Sequence, residues 1–127
     1  MTDARQAYGD MEVLSANPRR LVVMMFEAAS RFLLQAQEAM ERQDFEGQDY
    51  YLVRTQRIYT ELQMALERGP GGAIAVSLRE LYAHVGELLH LASLHDRQDL
   101  LAEAMTINQQ LWEAWKEAEV RCQNQAA

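Results

Sequence analysis

Two prolines are all that this chain of 127 residues contains, Pro18 and Pro70, and apolar residues return with helical spacing through the long stretches that follow each. A proline inside a helix costs about 3 kcal/mol or more, so their scarcity leaves room for helices of twenty residues and longer. Pro18 follows Asn17, whose side chain can cap a helix start, and proline at the first helical position loses no hydrogen bond. Pro70 stands in Gly69-Pro70-Gly71-Gly72, which ends any helix that reaches it. The remainder is rich in Ala, Leu, Glu, Gln and Arg, the strong helix formers.

The periodicity predicts four helices. The first starts at Pro18 and runs to about Arg42. With Leu21 at zero and about 100° per residue, Leu21, Val22, Met25, Phe26, Ala28, Ala29, Phe32, Leu33, Ala36 and Met40 fill one broad arc. Val23, Met24 and Leu34 fall outside it, because the apolar run from Leu21 to Phe26 goes right round the cylinder. Asp44 is placed to cap a second helix, whose face is Tyr51, Leu52, Thr55, Ile58, Tyr59, Leu62, Ala65 and Leu66. After the glycines a third carries Ile74, Leu78, Leu81, Tyr82, Val85, Leu88, Leu89 and Ala92, with Val76 nearly opposite. Asp96 is expected to cap the fourth, with Asp99 in its first turn. Its face is Leu100, Leu101, Ala104, Ile107, Leu111, Ala114, Trp115 and Ala118, with Met105 and Trp112 at the edge.

Helices of about 22 to 26 residues joined by links of about two to four residues must lie antiparallel to their neighbours. The fold class expected is all-α, an antiparallel up-down-up-down four-helix bundle over residues 17–122. A mobile segment, 1–16, precedes it as a short N-terminal strap or helix, and residues 123–127 form a disordered tail.

Twelve basic residues against nineteen acidic ones set a net charge of −7, which argues against nucleic acid as a partner. The N-terminal residues lack the apolar core of a signal peptide, and no apolar run approaches the roughly 20 residues that span a bilayer. No membrane insertion and a cytoplasmic location are expected. Cys122 is the single cysteine, so neither an internal disulfide nor a thiolate metal cluster can form.

The sharpest catalytic lead is His84-x-x-Glu87-x-x-His90, since bundles that hold two metals use inward Glu-x-x-His pairs. A second such pair is absent from the sequence, and Leu81, Val85, Leu88 and Leu89 turn Glu87 outward. The glycine-rich link lacks the Gly-Lys-Ser/Thr ending of a phosphate loop. No enzyme activity, cofactor or metal is therefore expected. The apolar outliers Val23, Met24, Leu34 and Val76, with Met105 and Trp112, suit instead a helical client or a second copy of the chain.

The ordered motifs resemble a known family. Tyr8, Val13 and Ser15-Ala16-Asn17-Pro18 are similar to the early tyrosine, valine and Thr-Ala-Ser-Pro-like segment of the flagellin-specific flagellar export chaperones, the flagellar protein S family. Leu21-Val22-Val23-Met24-Met25-Phe26-Glu27-Ala28 resembles that family's Leu-Ile-x-Met-Leu-Tyr-Asp-Gly stretch, and Gln56-Arg57-Ile58-Tyr59-Thr60-Glu61-Leu62 its Ile-Ile-x-Glu-Leu segment. Gly71-Gly72-Ala73-Ile74-Ala75, Leu78, Leu81-Tyr82 and Ala114-Trp115 fit the later positions in order. The chain departs from the pattern at Phe26, Ala28, Thr55 and Ser93, where the family commonly has tyrosine, glycine, alanine and asparagine.

The resemblance implies a cytosolic export chaperone that binds the C-terminal segment of flagellin, prevents premature polymerisation and keeps the subunit competent for flagellar type III export. The flagellar export apparatus is a second candidate partner. By the same resemblance Tyr8 and Val13 anchor the strap, and Thr55, Ile58, Tyr59, Leu62, Ile74, Leu78 and Tyr82 surround the client groove. The alternative is a structural homodimeric bundle or adaptor without a flagellin client, with Val23, Leu34 and Val76 in a self-interface.

Overall fold

The computed structural model describes residues 18–69 and 71–126. Asn17, and the segment that carries Tyr8 and Val13, lie outside the described residues. The chain forms α1 (Pro18–Glu41), α2 (Phe45–Glu67), α3 (Ala73–His95) and α4 (Gln98–Ala126), and no strand occurs among the described residues. α4, at 29 residues, is the longest. It continues beyond the Cys122 boundary expected for it, because Gln123 and Asn124 do not break a helix. Gln123 also reaches back one turn, its Nε2 donating to Glu119 Oε1 at 3.5 Å.

Each link has a local cause. Gln43, with φ of 59°, turns the chain out of α1, and the Asp44 N–H donates to the Ala39 carbonyl at 2.8 Å. Asp44 then caps α2, its Oδ1 accepting from the Gly47 N–H at 3.0 Å. Gly71 and Gly72 have φ of 78° and 101°, values open to glycine and strained for a residue with a Cβ. Asp96 does not cap α4. It adopts the left-handed conformation that closes α3, with its N–H on the Ala92 carbonyl. Its carboxylate accepts from Gln48 Nε2 at 3.1 Å, tying the end of α3 to the start of α2. Arg97 pairs with Asp99 at 2.7 and 2.5 Å and holds that carboxyl down to about 2, so α4 begins on a fixed negative charge that suits its dipole.

Sequential helices pack against one another and α4 closes the ring on α1, while no Cα of α1 comes within 8 Å of α3, nor of α2 within 8 Å of α4, among the described residues. The bundle is therefore a square of antiparallel neighbours. Phe26, Ala29, Leu33 and Ala36 of α1, Leu52, Ile58, Tyr59 and Leu62 of α2, Tyr82, Val85, Leu89 and Ala92 of α3, and Leu101 and Ala104 of α4 fill its centre. Ala28, Phe32 and Ala39 lie within about 40° of one another on α1. Phe32 stacks on Tyr51 of α2 with centroids 6.3 Å apart, so the two alanine methyls mark the side on which α1 approaches α2.

Several assignments from periodicity change: Ala65, Ala114 and Ala118, assigned inward, are exposed towards the ends of their arcs. Val23 is buried, at 4% exposure, because it lies only about 60° round the helix from fully buried Phe26 and the covered arc of α1 is wider than one facing helix requires. Ile74, assigned inward, is 78% exposed: it sits in the first turn of α3, beyond the last layer of core side chains. Leu34 and Val76 are exposed, as their angles imply, while Met105 and Trp112 pack at the core's edge.

Candidate functional site

The helices meet in one polar and aromatic layer. Phe26, Tyr59 and Tyr82, from three different helices, bring their ring centroids within 5.9 to 6.2 Å of one another at steep tilts, the edge-to-face arrangement that ring quadrupoles favour. α4 adds Asn108, 1% exposed. The Tyr59 hydroxyl donates to Asn108 Oδ1 at 2.7 Å, and Asn108 Nδ2 donates to the Phe26 carbonyl at 3.3 Å. The Trp115 indole N–H, which can only donate, favours the ionised form of the Tyr82 hydroxyl. Thr55, also buried, satisfies its hydroxyl within α2 by donating to the Tyr51 carbonyl at 2.9 Å.

Burial pushes the Tyr82 phenol up to about 12, with the Trp115 hydrogen bond acting the other way. Burial also pushes Tyr59 up, reinforced by the nearby Tyr82. In the unfolded chain a phenol ionises near pH 10, so above that pH the unfolded state binds fewer protons than the folded one. Stability is thus unaffected by these groups below about pH 10 and falls as pH rises from there towards about 12. An alkaline titration that follows phenolate absorbance and helical circular dichroism together checks this. The two buried tyrosines are expected to ionise only as the helical signal is lost, and ionisation of all five tyrosines with the helices intact would contradict it.

Outside this layer a groove of about 260 Å³ opens between α2 and α3. Asp49, Leu52, Val53 and Gln56 line it from α2 and His90, Ser93 and Leu94 from α3. The spacing of three, four and seven residues puts each set on one face of its helix. Leu52 is buried beneath the groove, whereas Leu94 is 62% exposed on its rim. Near the glycine link Met64, Ile74 and Val76 are exposed as well. On the α1 and α2 face, Tyr51 meets Tyr50 edge-on at 5.0 Å, and the Arg54 guanidinium lies 3.3 Å over the Tyr50 ring.

The residues assigned to client binding separate into two groups. Thr55, Ile58, Tyr59, Leu62 and Tyr82 are at most 2% exposed and form the interior wall behind the α2 and α3 surface. Leu78 is half-buried and Ile74 is open to solvent at the bundle end. Tyr8 and Val13 lie outside the described residues. The resemblance pointed to the surface of these two helices but not to the residues that line the groove; Val53 and Leu94, apolar and off the main arcs, were the available signals. Asn108 gave no signal because it stands in the polar run Asn108-Gln109-Gln110 between Ile107 and Leu111.

His84 faces Glu103 of α4 at 3.7 Å and His90 turns to the groove beside α2, so the two histidines of the spaced motif address different neighbours. Among the described residues no three His, Cys, Asp or Glu side chains gather into a metal-ligating cluster, and no helix is long and apolar enough to cross a membrane.

The family model for flagellar protein FliS matches residues 1–122. The flagellar secretion chaperone FliS of Campylobacter jejuni is 33% identical over 114 residues, covering 90% of this chain and 89% of that protein. The Salmonella typhimurium protein of the same name is 30% identical, covering 83% of this chain and 78% of its own length, and the Bacillus subtilis one is 28% identical, covering 88% and 83%. With a match that runs from the first residue through most of α4, the chain belongs to the flagellar protein FliS family.

Proposed function

We propose that this protein is a non-enzymatic cytosolic export chaperone that binds the C-terminal segment of flagellin, prevents its premature polymerisation and keeps it fit for flagellar type III export. Its relatives carry the name flagellar secretion chaperone. The observation that supports a binding role is the groove on the outer face of α2 and α3, with Leu52 at its floor and exposed Leu94 on its rim. An amphipathic segment that is disordered when free can fold as a helix on such a surface, apolar burial offsetting the entropy of ordering. In this reading Ile74 and Leu78 extend the surface at the bundle end. Buried Thr55, Ile58, Tyr59, Leu62 and Tyr82 hold its wall in place, and Tyr8 and Val13 belong to a strap that covers part of it. The export apparatus is the partner to which the loaded complex is delivered.

Titration calorimetry with flagellin, intact and lacking its C-terminal segment, tests the proposal. Tight binding of the intact protein and loss of at least about a hundredfold in affinity on truncation are expected, equivalent to about 2.7 kcal/mol. Equal affinity for the two forms overturns it. The self-interface alternative finds no single surface here: Val23 is buried, and Leu34 and Val76 sit on diagonally opposed helices.

A further inference from the structure

Among the described residues nothing accounts for Gly86. It lies in the middle of α3 in helical backbone, where glycine weakens a helix relative to alanine because it frees the unfolded chain. A methyl group built on it meets no neighbouring atom of the described residues within 4 Å, so neither crowding in the bundle nor an unusual backbone angle demands the missing side chain. Tyr59 meets Tyr82 and Gln48 meets Asp96, and this antiparallel register brings Gly86 level with Gln56, at one end of the groove. Gly86, His90 and Ser93 follow at four and three residues and share one face of α3. A bare stretch of helix surface beside this groove is suited to the close approach of another backbone.

The far end of the groove carries Asp49, an exposed carboxylate that forms no ion pair with a described residue. In a chain of net charge −7 it favours a partner that brings a donor. Seven residues of α2 separate Gln56 from Asp49, about 10 Å or two helical turns. Between them lie Leu52 and Val53, level with His90, while Leu94 stands across from Asp49.

We infer that Gly86 is the point of closest approach of the client helix, which sets a small residue against it, an apolar side chain of leucine size against Leu52 and Val53 one turn along, and a basic or amide side chain at Asp49, beside Leu94, two turns along. This rests on the reading of the α2 and α3 groove as the flagellin site. It assigns Gly86 a role in client fit that a merely structural glycine does not have, and it makes opposite predictions for stability and for binding.

The test uses the full chain, with Gly86→Ala and Gly86→Leu, titrated with the flagellin C-terminal segment and melted in parallel. Gly86→Ala is expected to raise the Tm by about 2 to 5 °C, since the methyl has open space and alanine favours the helix. It is nevertheless expected to bind the segment about fivefold more weakly, and Gly86→Leu about fiftyfold more weakly with the helical signal intact, as an overfilled contact requires. Gln110→Leu, at an exposed position of α4, serves as control and leaves affinity unchanged. Binding of Gly86→Leu within twofold of wild type, or a change in self-association without a change in client affinity, overturns the inference while leaving the proposed function standing. Wild-type protein that does not bind the segment sinks both.

Discussion

Phe26→Ala is expected to lower the free energy of unfolding by about 3 to 5 kcal/mol, the range for truncating a buried aromatic side chain. Phe26 is fully buried, and its ring touches those of Tyr59 and Tyr82, so the cavity opens where α1, α2 and α3 meet. Aromatic edge contacts contribute about 0.5 to 1.5 kcal/mol per pair beyond area burial, which places this site at the upper part of the range. For a domain of this size the loss corresponds to a fall in Tm of about 10 to 20 °C. Urea unfolding followed by circular dichroism measures it, and an unchanged m-value shows that the native and unfolded states keep their compactness. A loss below about 1 kcal/mol would mean that the helices collapse to fill the space. The triad would then be a loose contact rather than the centre of the packing.

Asn108→Ala is expected to cost about 2 to 4 kcal/mol, more than its side-chain volume alone explains. The substitution removes the acceptor of the Tyr59 hydroxyl and the donor to the Phe26 carbonyl, both in a buried layer. An orphaned buried polar group costs about 1 to 3 kcal/mol, and a small cavity adds to it. Tyr59→Phe is expected to cost less, because Asn108 keeps its bond to Phe26. The combined variant is expected to lose about 1 kcal/mol less than the two single losses added together, because in the double variant neither group is left without the other. Strict additivity in this cycle would show that the 2.7 Å hydrogen bond carries no coupling energy. A polar pair enclosed by apolar neighbours also penalises axial slippage, since a slip of one helix against another separates the partners.

These two sites differ in how far they could be foreseen. Phe26, Tyr59 and Tyr82 all fall on apolar arcs drawn from 3.6-residue periodicity, so their inward direction was legible in advance. Their meeting in one layer was not, because periodicity fixes an angle on one helix and says nothing about the height at which two helices pair. The same limit explains the groove. Asp49, Gln56, His90 and Ser93 are ordinary solvated residues on their own helices, and they become a rim only when α2 and α3 align in antiparallel register. Val23 and Ile74 mark the other source of error. One gained cover from a wider buried arc and one lost it at the bundle end, effects that depend on neighbours rather than on spacing.

The amino-acid sequence by itself determined the helical class, the four helices of the described residues, the glycine break and the order of motifs that ties the chain to its family, because these rest on local backbone preference, on apolar spacing and on residue identity. The tertiary structure alone decided that Asn108 belongs to the core, that Asp96 closes α3 instead of opening α4, and that Gly86 stands one turn from His90 in the mixed polar and apolar groove. Each of those depends on which side chains stand opposite one another across a helix pair. That is a matter of axial register and interhelical packing, and spacing along a single helix carries no record of it.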